Sequence, residues 1–275
     1  MNDAFFVSIV TFIYFFAAFM YLVALVFRKT GPDQVAGVTA VAGLLLHSSA
    51  LIVRWIESYR LGIGHAPLSN FYESMVFFSW SIVFVFFVMK KTYRTSLVGV
   101  IALFFAFIIL AYVSLSGTVD CRIEPLIPAL QSNWLISHVI SSFLAYACFT
   151  IAFGLSVLYL LKHSATAGFA RALPAASFLD EATHRIISIG FVLLTVGIIT
   201  GAAWADRAWG RYWGWDPKET WSLITWLVYG AFLHARIARG WTGMKMSLIS
   251  IIGFISMIFT YLGVNYILAG LHSYL

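Results

Sequence analysis

Long apolar runs recur along the whole chain, and they limit what it can fold into more than any other feature. A run of about 18 or more apolar residues is long enough to cross the hydrocarbon core of a bilayer as a helix. The composition agrees, because 61% of the 275 residues are hydrophobic and 10% are charged, whereas a soluble domain carries about 25% charged residues. The sequence therefore predicts an all-α, polytopic membrane protein embedded in a lipid bilayer.

Eight membrane-spanning helices are predicted, at residues 4–27, 35–58, 74–90, 95–116, 134–161, 184–206, 219–238 and 246–268. An even number of spans places both termini on the same face of the membrane. Most of the 17 Lys and Arg residues fall in loops that are cytoplasmic when the N-terminus lies outside, as the positive-inside rule favours. We therefore expect residues 1–275 to form a single integral membrane domain with both termini on the outer, periplasmic or lumenal, face.

The cysteines and the charge argue against several function classes. Cys121 and Cys148 are far apart and form no C-x-x-C, so neither thiol exchange nor a disulfide framework is expected. No C-x-x-C-H occurs, so covalently attached haem is not expected on this chain. The net charge of +6 does not indicate a nucleic-acid partner, because the basic residues are scattered through the loops. Positive charges follow the first apolar segment, which favours a retained helix over a signal peptide.

A tryptophan-rich loop at about 204–221 stands out from the apolar background. Six of the ten tryptophans fall between Trp204 and Trp226, whereas an interfacial aromatic belt predicts one or two rings per helix end. Glycines alternate with the rings and permit close backbone approach, so we favour a platform for a large, flat, hydrophobic ligand over an elaborate belt. Its members are Trp209, Tyr212, Trp213, Trp215, Asp216 and Trp221, with Arg207, Arg211 and Lys218 as partners for ligand carboxylates.

Part of the charge in this loop has a structural explanation. Asp216 is a good N-cap, Pro217 suits the first helical position, and Glu219 stands where a capping box requires a carboxylate. We therefore expect the seventh helix to begin at these residues.

Histidines are the commonest axial ligands of haem, and two lie at the level predicted for this loop. His138 is near the outer end of the fifth helix and His272 follows the eighth. His234 lies about 26 Å deeper on the seventh helix, at ~1.5 Å per residue from Pro217, and an ionisable group inside an apolar helix is a functional candidate. His47 has a similar but weaker claim. The remaining histidines are interpreted as solvated: His65, His163 and His184.

Four segments of the chain resemble the CcsA (also called ResC) family of cytochrome c biogenesis proteins, which are haem handlers marked by a tryptophan-rich "WWD" segment. The segments are "PLSNFYESMVFFSW" (67–80), "GIITGAAWA" (197–205), "WGRYWGWDPKETWSLITW" (209–226) and "LGVNYILAGLHSY" (262–274). The resemblance implies a subunit of a holocytochrome c synthase that moves haem b through the membrane. It would present the haem to reduced apocytochrome c, in a bacterial inner membrane or a thylakoid.

The resemblance also implies site residues and partners. The two outer-face histidines of the family fall on His138 and His272, its membrane-embedded histidine on His234, and its haem-contacting segment on Trp209–Trp221. A CcsB (ResB) protein is the implied partner and supplies a second intramembrane ligand. A thiol-reducing pathway would act only indirectly, by keeping the apocytochrome reduced.

The implied chemistry is thioether formation, in which the two thiols of a C-x-x-C-H segment add across the haem vinyl groups. The thiols belong to the substrate, and no catalytic residue is identified in this chain. Two other functions stay open: a dihaem membrane anchor of a quinol oxidoreductase, which needs facing pairs of histidines, and a small-solute transporter, which typically shows internal repeats.

Overall fold

The structure is a computed structural model that describes residues 2–90, 96–117, 119–164 and 173–267. All regular structure in these ranges is helical. The chain divides into two compact units, Met1–Gln131 and Ser132–Leu275, and each is described by itself. A single domain over residues 1–275 stays a prediction.

The first unit contains four long helices, and they correspond to the first four predicted spans. α1 packs on α2 and on α4, while α3 packs on both α2 and α4. A short 3₁₀ turn, Pro128–Leu130, lies near the end of the unit. The helices are α1 (Asn2–Phe27), α2 (Thr30–Arg60), α3 (Phe71–Lys90) and α4 (Ser96–Leu115).

Two buried tyrosines of α1 lie against glycines of the neighbouring helices. A Cβ atom at Gly43 of α2 would stand 2.7 Å from Cε1 of Tyr14, and one at Gly99 of α4 would stand 2.7 Å from the ring of Tyr21. Tyr14 also places its hydroxyl 3.1 Å from Nδ1 of His47. Small residues at these positions therefore allow the close approach of helices that is typical of membrane proteins.

A buried ion pair connects α2 with α3 in the first unit. Nε of Arg54 donates to Oε1 of Glu73 at 2.8 Å, and the two side chains are 4% and 0% exposed. The other guanidinium nitrogens donate to the carbonyl oxygens of Cys121 and Arg122. Oε2 of Glu73 accepts from the backbone and hydroxyl groups of Ser69, each at 2.8 Å. These additional hydrogen bonds offset the cost of removing both charges from water.

The second unit contains the remaining predicted spans. α6 and α8 pack on α5, and α7 packs on α6 and α8. The eighth predicted helix is not a uniform α-helix, because a π-helical segment interrupts it. The elements are α5 (Asn133–Ser164), α6 (Ala176–Trp209), α7 (Pro217–Arg239), α8 (Met244–Ile258), the π-helix Phe259–Gly263 and α9 (Val264–Ile267).

Tyr229 of α7 lies where three helices of the second unit meet. Its ring stacks on Phe149 of α5, with centroids 3.7 Å apart and planes 11° apart. A Cβ at Gly253 of α8 would stand 2.7 Å from the Tyr229 ring, and one at Gly190 of α6 would stand 2.7 Å from Phe149. Glycine at these two positions therefore lets two aromatic rings fill the centre of the unit.

Seven helices in the described part of the chain are long and apolar enough to cross a membrane. They comprise α1 to α6 and the segment Met244–Ile267. α7, the seventh predicted span, is not among them, although its 23 residues reach about 34 Å at 1.5 Å per residue, so the count of eight spans stays a prediction. Large apolar side chains such as Phe12 and Val38 are exposed on helix surfaces, as lipid-facing residues are. The prediction of an all-α integral membrane protein is confirmed.

Replacing Arg54 by Met should lower the free energy of unfolding by about 3–5 kcal/mol, because it leaves the Glu73 carboxylate buried without its cation. Replacing both residues by Met should recover much of that loss. Thermal unfolding of the purified protein in detergent measures the effect. Arg122→Met is a matched control, because the Arg122–Asp120 pair is exposed and its loss should leave the midpoint unchanged. A single Arg54 variant as stable as the double variant would contradict the interpretation.

Candidate functional site

The imidazole of His138 is held on α5 by a backbone carbonyl of α6. Nδ1 lies 2.7 Å from the carbonyl oxygen of Gly197, and a carbonyl can only accept, so Nδ1 carries the proton. Nε2 then carries the lone pair of the ring, and it has no hydrogen-bond partner among the residues that the structure describes. A histidine that donates one ring N–H to a carbonyl while its other nitrogen is available is the usual arrangement of a metal-ligating histidine.

One face of α6 forms the cradle in which this imidazole lies. Gly197, Gly201 and Trp204 are spaced i, i+4 and i+7, which places them on the same side of the helix. A Cβ at Gly201 would stand 2.6 Å from Nδ1 of His138, so a side chain there would displace the ring. Trp204 is 2% exposed, and its indole lies nearly parallel to the imidazole, with centroids 6.2 Å apart.

The aromatic contacts continue from this cradle to the tryptophan-rich loop. The rings of Trp204 and Trp209 meet edge to face, 4.8 Å apart. α6 then ends at Gly210, whose φ of 72° lies in the left-handed region that favours glycine. His138, Trp209 and the loop therefore belong to the same end of the second unit, as the sequence predicted.

The loop presents two large aromatic side chains to its surroundings. Tyr212 is 63% and Trp215 is 69% exposed, and Trp213 meets Trp215 edge to face at 5.7 Å. Trp215 has a φ of 56°, a left-handed conformation that costs roughly 1–2 kcal/mol for a residue with a Cβ. Strained residues cluster at functional sites, so this exposed, strained indole makes the loop a candidate site.

The predicted capping box at the start of α7 is confirmed. Oδ1 of Asp216 accepts from the backbone N–H of Lys218 at 2.9 Å, and Oε2 of Glu219 accepts from the N–H of Asp216 at 3.1 Å. Glu219 also accepts from the N–H of Gly214 at 2.7 Å, which the sequence did not indicate. The same carboxylate therefore caps the helix and holds the strained turn on either side of Trp215.

Lys218 connects the loop to the last helical segment. Its Nζ donates to Oδ1 of Asn265 on α9 at 2.9 Å, and its ammonium group lies within electrostatic range of His138. Burial lowers the pKa of Lys218 to about 8, against the opposing attraction of Asp216. The amine is therefore mostly protonated at neutral pH and adds a positive charge to this end of the unit.

The other predicted contact residues take two kinds of position. Arg207 and Arg211 are exposed at this end of the unit, where they can meet an anionic ligand. The Arg211 guanidinium runs against Gly214, where a Cβ would stand 2.6 Å from Nε. Trp221 packs its ring on Phe259 of the π-helix at 4.2 Å, so it braces the start of α7 as well.

His234 lies near the opposite end of α7, and its side chain is exposed. Arg236, two residues further on, pairs with Asp180 at the start of α6, whereas His138 contacts the far part of α6. The predicted separation of His234 from the loop along α7 is therefore confirmed. The structure does not bring the two histidines together.

The remaining histidines have varied surroundings. His272 lies outside the described residues, so its position stays a prediction. His47 is fully buried in the first unit. The interpretation of His65 as solvated is wrong: it is 6% exposed, and its ring nitrogens lie 2.9 and 3.0 Å from the carbonyl oxygens of Ala66 and Glu124. A loop histidine can thus be buried when the loop folds over it.

Sequence reasoning missed the residues that hold His138. Gly197, Gly201 and Trp204 occur in "GIITGAAWA", a segment that carries the family resemblance but does not by itself indicate contact with His138. Their i, i+4, i+7 spacing was a usable signal for one helix face. Asn265 had no comparable signal, because its partner Lys218 is 47 residues away.

Trp215→Gly should leave the thermal midpoint within about 4 °C of the original. Glycine relieves the left-handed strain. This gain offsets the loss of the edge contact with Trp213, which is worth about 0.5–1.5 kcal/mol. Trp204→Ala is the control, because removing a buried indole should cost about 3–5 kcal/mol. Differential scanning fluorimetry in detergent measures both variants. A large loss of stability in Trp215→Gly would show that this indole is retained for folding.

Comparisons with known proteins identify the family of the chain. The sequence matches the family model described as cytochrome C assembly protein over residues 68–272. It is 40% identical to the cytochrome c biogenesis protein CcsA of Guillardia theta over 92% of this chain and 90% of that protein. It is 37% identical to the CcsA of Synechocystis sp. over 99% of this chain and 96% of that protein.

A solved structure with a similar fold is that of the cytochrome c heme lyase CcmF. The TM-score is 0.68 at 18% identity, over 95% of this chain and 47% of that chain, so the likeness concerns the fold alone and this chain spans about half of that protein. Because the family model covers most of the chain and the two CcsA relatives match along nearly its whole length, the chain belongs to the cytochrome c assembly family, among its CcsA-type proteins.

Proposed function

We propose that this chain binds haem b at His138 and presents it to apocytochrome c for thioether formation. Membership of the family supports a role in cytochrome c maturation, and the local geometry supports the haem site. The observation that carries the proposal is the His138 imidazole, whose Nδ1 is committed to Gly197 while its Nε2 is available to iron.

The surroundings of His138 suit an axial ligand. The carbonyl of Gly197 fixes the tautomer and the orientation of the ring, and this partner raises the basicity of the ligating nitrogen. Gly201 leaves the space that the ring occupies, and Trp204 supports its face. We assign the second axial bond to His272, which follows Asn265 by seven positions in the sequence.

The tryptophan-rich loop supplies the surface for the porphyrin. Trp209, Tyr212, Trp213, Trp215 and Trp221 provide flat apolar rings, and aromatic rings favour offset stacking or edge contact with another π-system. Asp216 closes this surface by capping α7.

The basic side chains at this end fit the edge of the same ligand. Arg207 and Arg211 are exposed and are the proposed partners of the haem propionates, since guanidinium groups pair with carboxylates in a bidentate manner.

The chemistry requires mainly that two reactants are held in register. Each substrate thiol adds across one haem vinyl group, so that sulfur bonds to the carbon nearer the ring and the thiol hydrogen goes to the outer carbon. Holding the haem beside the C-x-x-C-H segment converts a bimolecular encounter into an addition within one complex. The histidine of that segment then takes over an axial position from this chain, which releases the product.

His234 is the proposed point at which haem enters from the bilayer. It is exposed on α7, so it can meet a group outside the second unit, and a CcsB-type partner would supply the opposing ligand there. The membrane is the thylakoid or a bacterial inner membrane, with the tryptophan-rich loop on its outer face.

His138→Ala should abolish holocytochrome c formation, and added imidazole should partly restore it, because a free imidazole fits the vacated space. The chain is co-expressed with a CcsB-type partner and a reporter apocytochrome c, and haem-stained product is measured. Gly201→Ala should lose activity as well, because the new methyl group displaces the ring. Gly230→Ala is the matched control, since the nearest side-chain atom would be 3.6 Å away. Normal cytochrome yields in His138→Ala would refute the site.

His234→Ala should lower the haem content of the purified complex several-fold, including the haem at His138, if loading runs through the membrane. Haem-to-protein ratios from pyridine haemochrome spectra measure the occupancy. His163→Ala is the control, because that side chain is also exposed and, within the described ranges, its hydrogen bond is to Tyr159 on the same helix. Unchanged occupancy in His234→Ala would contradict the entry route while leaving the His138 site untouched.

A further inference from the structure

An open groove lies in the first unit, where α2 begins and α3 ends. The two helices are antiparallel, because Gly37 lies against Lys90 while Arg54 bonds to Glu73. The groove is therefore at the end of both helices, on the face of the membrane that is predicted to be cytoplasmic. Its volume of about 460 Å³ falls within the range of about 300–1,000 Å³ that is usual for small-molecule sites.

The ammonium group of Lys90 stands on one side of this groove. A Cβ at Gly37 would lie 3.1 Å from Nζ of Lys90, so glycine leaves the room that the ammonium group occupies. Nζ donates to the hydroxyl of Tyr21 at 2.7 Å, and within the described ranges Lys90 forms no ion pair. An ammonium group has three donors, and a neutral hydroxyl does not balance its charge, so this position suits an anionic group.

The lining of the groove changes from polar to apolar with depth. Asp33 lies one turn before Gly37, about 6 Å nearer the start of α2 at 1.5 Å per residue. Val41 lies one turn beyond Gly37, and Phe87 precedes Lys90 by one turn on the antiparallel helix. From the membrane surface inward, a ligand therefore meets a carboxylate, then a cation, then apolar side chains.

The charges at this end of the unit favour an anionic ligand over a zwitterionic one. Arg28 and Lys29 directly precede α2, and both are exposed. Together with Lys90 they outnumber the carboxylate of Asp33, which already accepts a bond from the hydroxyl of Ser96 at 2.6 Å. Basic residues beside a membrane-spanning helix attract anionic lipids.

We propose that this groove binds an anionic glycerolipid with a hydroxylated headgroup, of the phosphatidylglycerol type. The phosphate accepts from Lys90, the headgroup hydroxyls donate to Asp33 nearer the surface, and the first part of an acyl chain packs on Val41 and Phe87. The order of these groups in the lipid matches the order of polarity along the groove. The site lies in the first unit, so the inference does not depend on the proposed haem site.

Native mass spectrometry of the full chain in detergent, titrated with phosphatidylglycerol, tests the site. Lys90→Gln should weaken binding about tenfold, as expected for the loss of a charged donor. Gly37→Leu should weaken it to a similar extent, because the new side chain fills the groove. Lys245→Gln is the matched control. It removes an exposed cation that lies over Trp241 in the second unit, and it should bind the lipid as the unaltered protein does.

Competing ligands identify the chemistry of the occupant. Phosphatidylethanolamine and inorganic phosphate should displace little phosphatidylglycerol, because the first lacks the net charge and the second lacks the acyl chain. Asp33→Asn should retain the lipid, since the amide oxygen still accepts from a hydroxyl group. Displacement by inorganic phosphate would show a site for free anions. Equal binding of phosphatidylethanolamine, lost in Asp33→Asn, would show a zwitterionic headgroup. Either result would overturn the proposal.

Thermal midpoints show whether each variant is folded. Gly37→Leu should fold, because leucine is a better helix former than glycine and the Lys90 side chain is flexible enough to move aside. It therefore decides the question should Lys90→Gln lose its structure along with the bond to Tyr21. A folded Gly37→Leu variant that binds phosphatidylglycerol as tightly as the unaltered protein would refute the site.

Discussion

The hydrogen bond from His138 to the carbonyl of Gly197 is the interaction on which the proposed site depends. It exists because α5 and α6 approach closely, and they do so because α6 carries glycine where the imidazole lies. A carbonyl inside a helix normally accepts a hydrogen bond from its own helix. The carbonyl of Gly197 also accepts one from His138 on the neighbouring helix. The bond fixes the tautomer of His138, and the tautomer decides which nitrogen can bind iron.

A second constraint is that the tryptophan-rich loop must hold an unfavourable conformation. Trp215 is strained and exposed, and neither property stabilises the fold by itself. The carboxylate of Glu219 compensates by accepting bonds from the backbone on both sides of that residue, at Gly214 and Asp216. The carboxylates of Asp216 and Glu219 therefore stabilise the loop and the start of α7. Arg207 and Arg211 are exposed and can meet a ligand.

The two units place their buried polar groups differently. In the first, Arg54 and Glu73 neutralise each other while bonding to nearby backbone, which fixes the loops around them. In the second, His138 and Lys218 bond to neutral oxygens of Gly197 and Asn265. The second arrangement leaves Nε2 of His138 and a positive charge at the end of the unit that carries the loop, where the proposed haem would bind.

The sequence by itself determined seven of the membrane-spanning helices, the capping box at Asp216 and the position of His138 at the same end of the second unit as the loop. Each follows from local chemistry: apolar length, N-cap preference and position along a helix. Only the tertiary structure decided that His65 is buried and that Lys218 meets Asn265. The physical reason is that these contacts join segments that are distant in sequence. Their geometry depends on helix packing and on a π-helix that no local sequence pattern predicted.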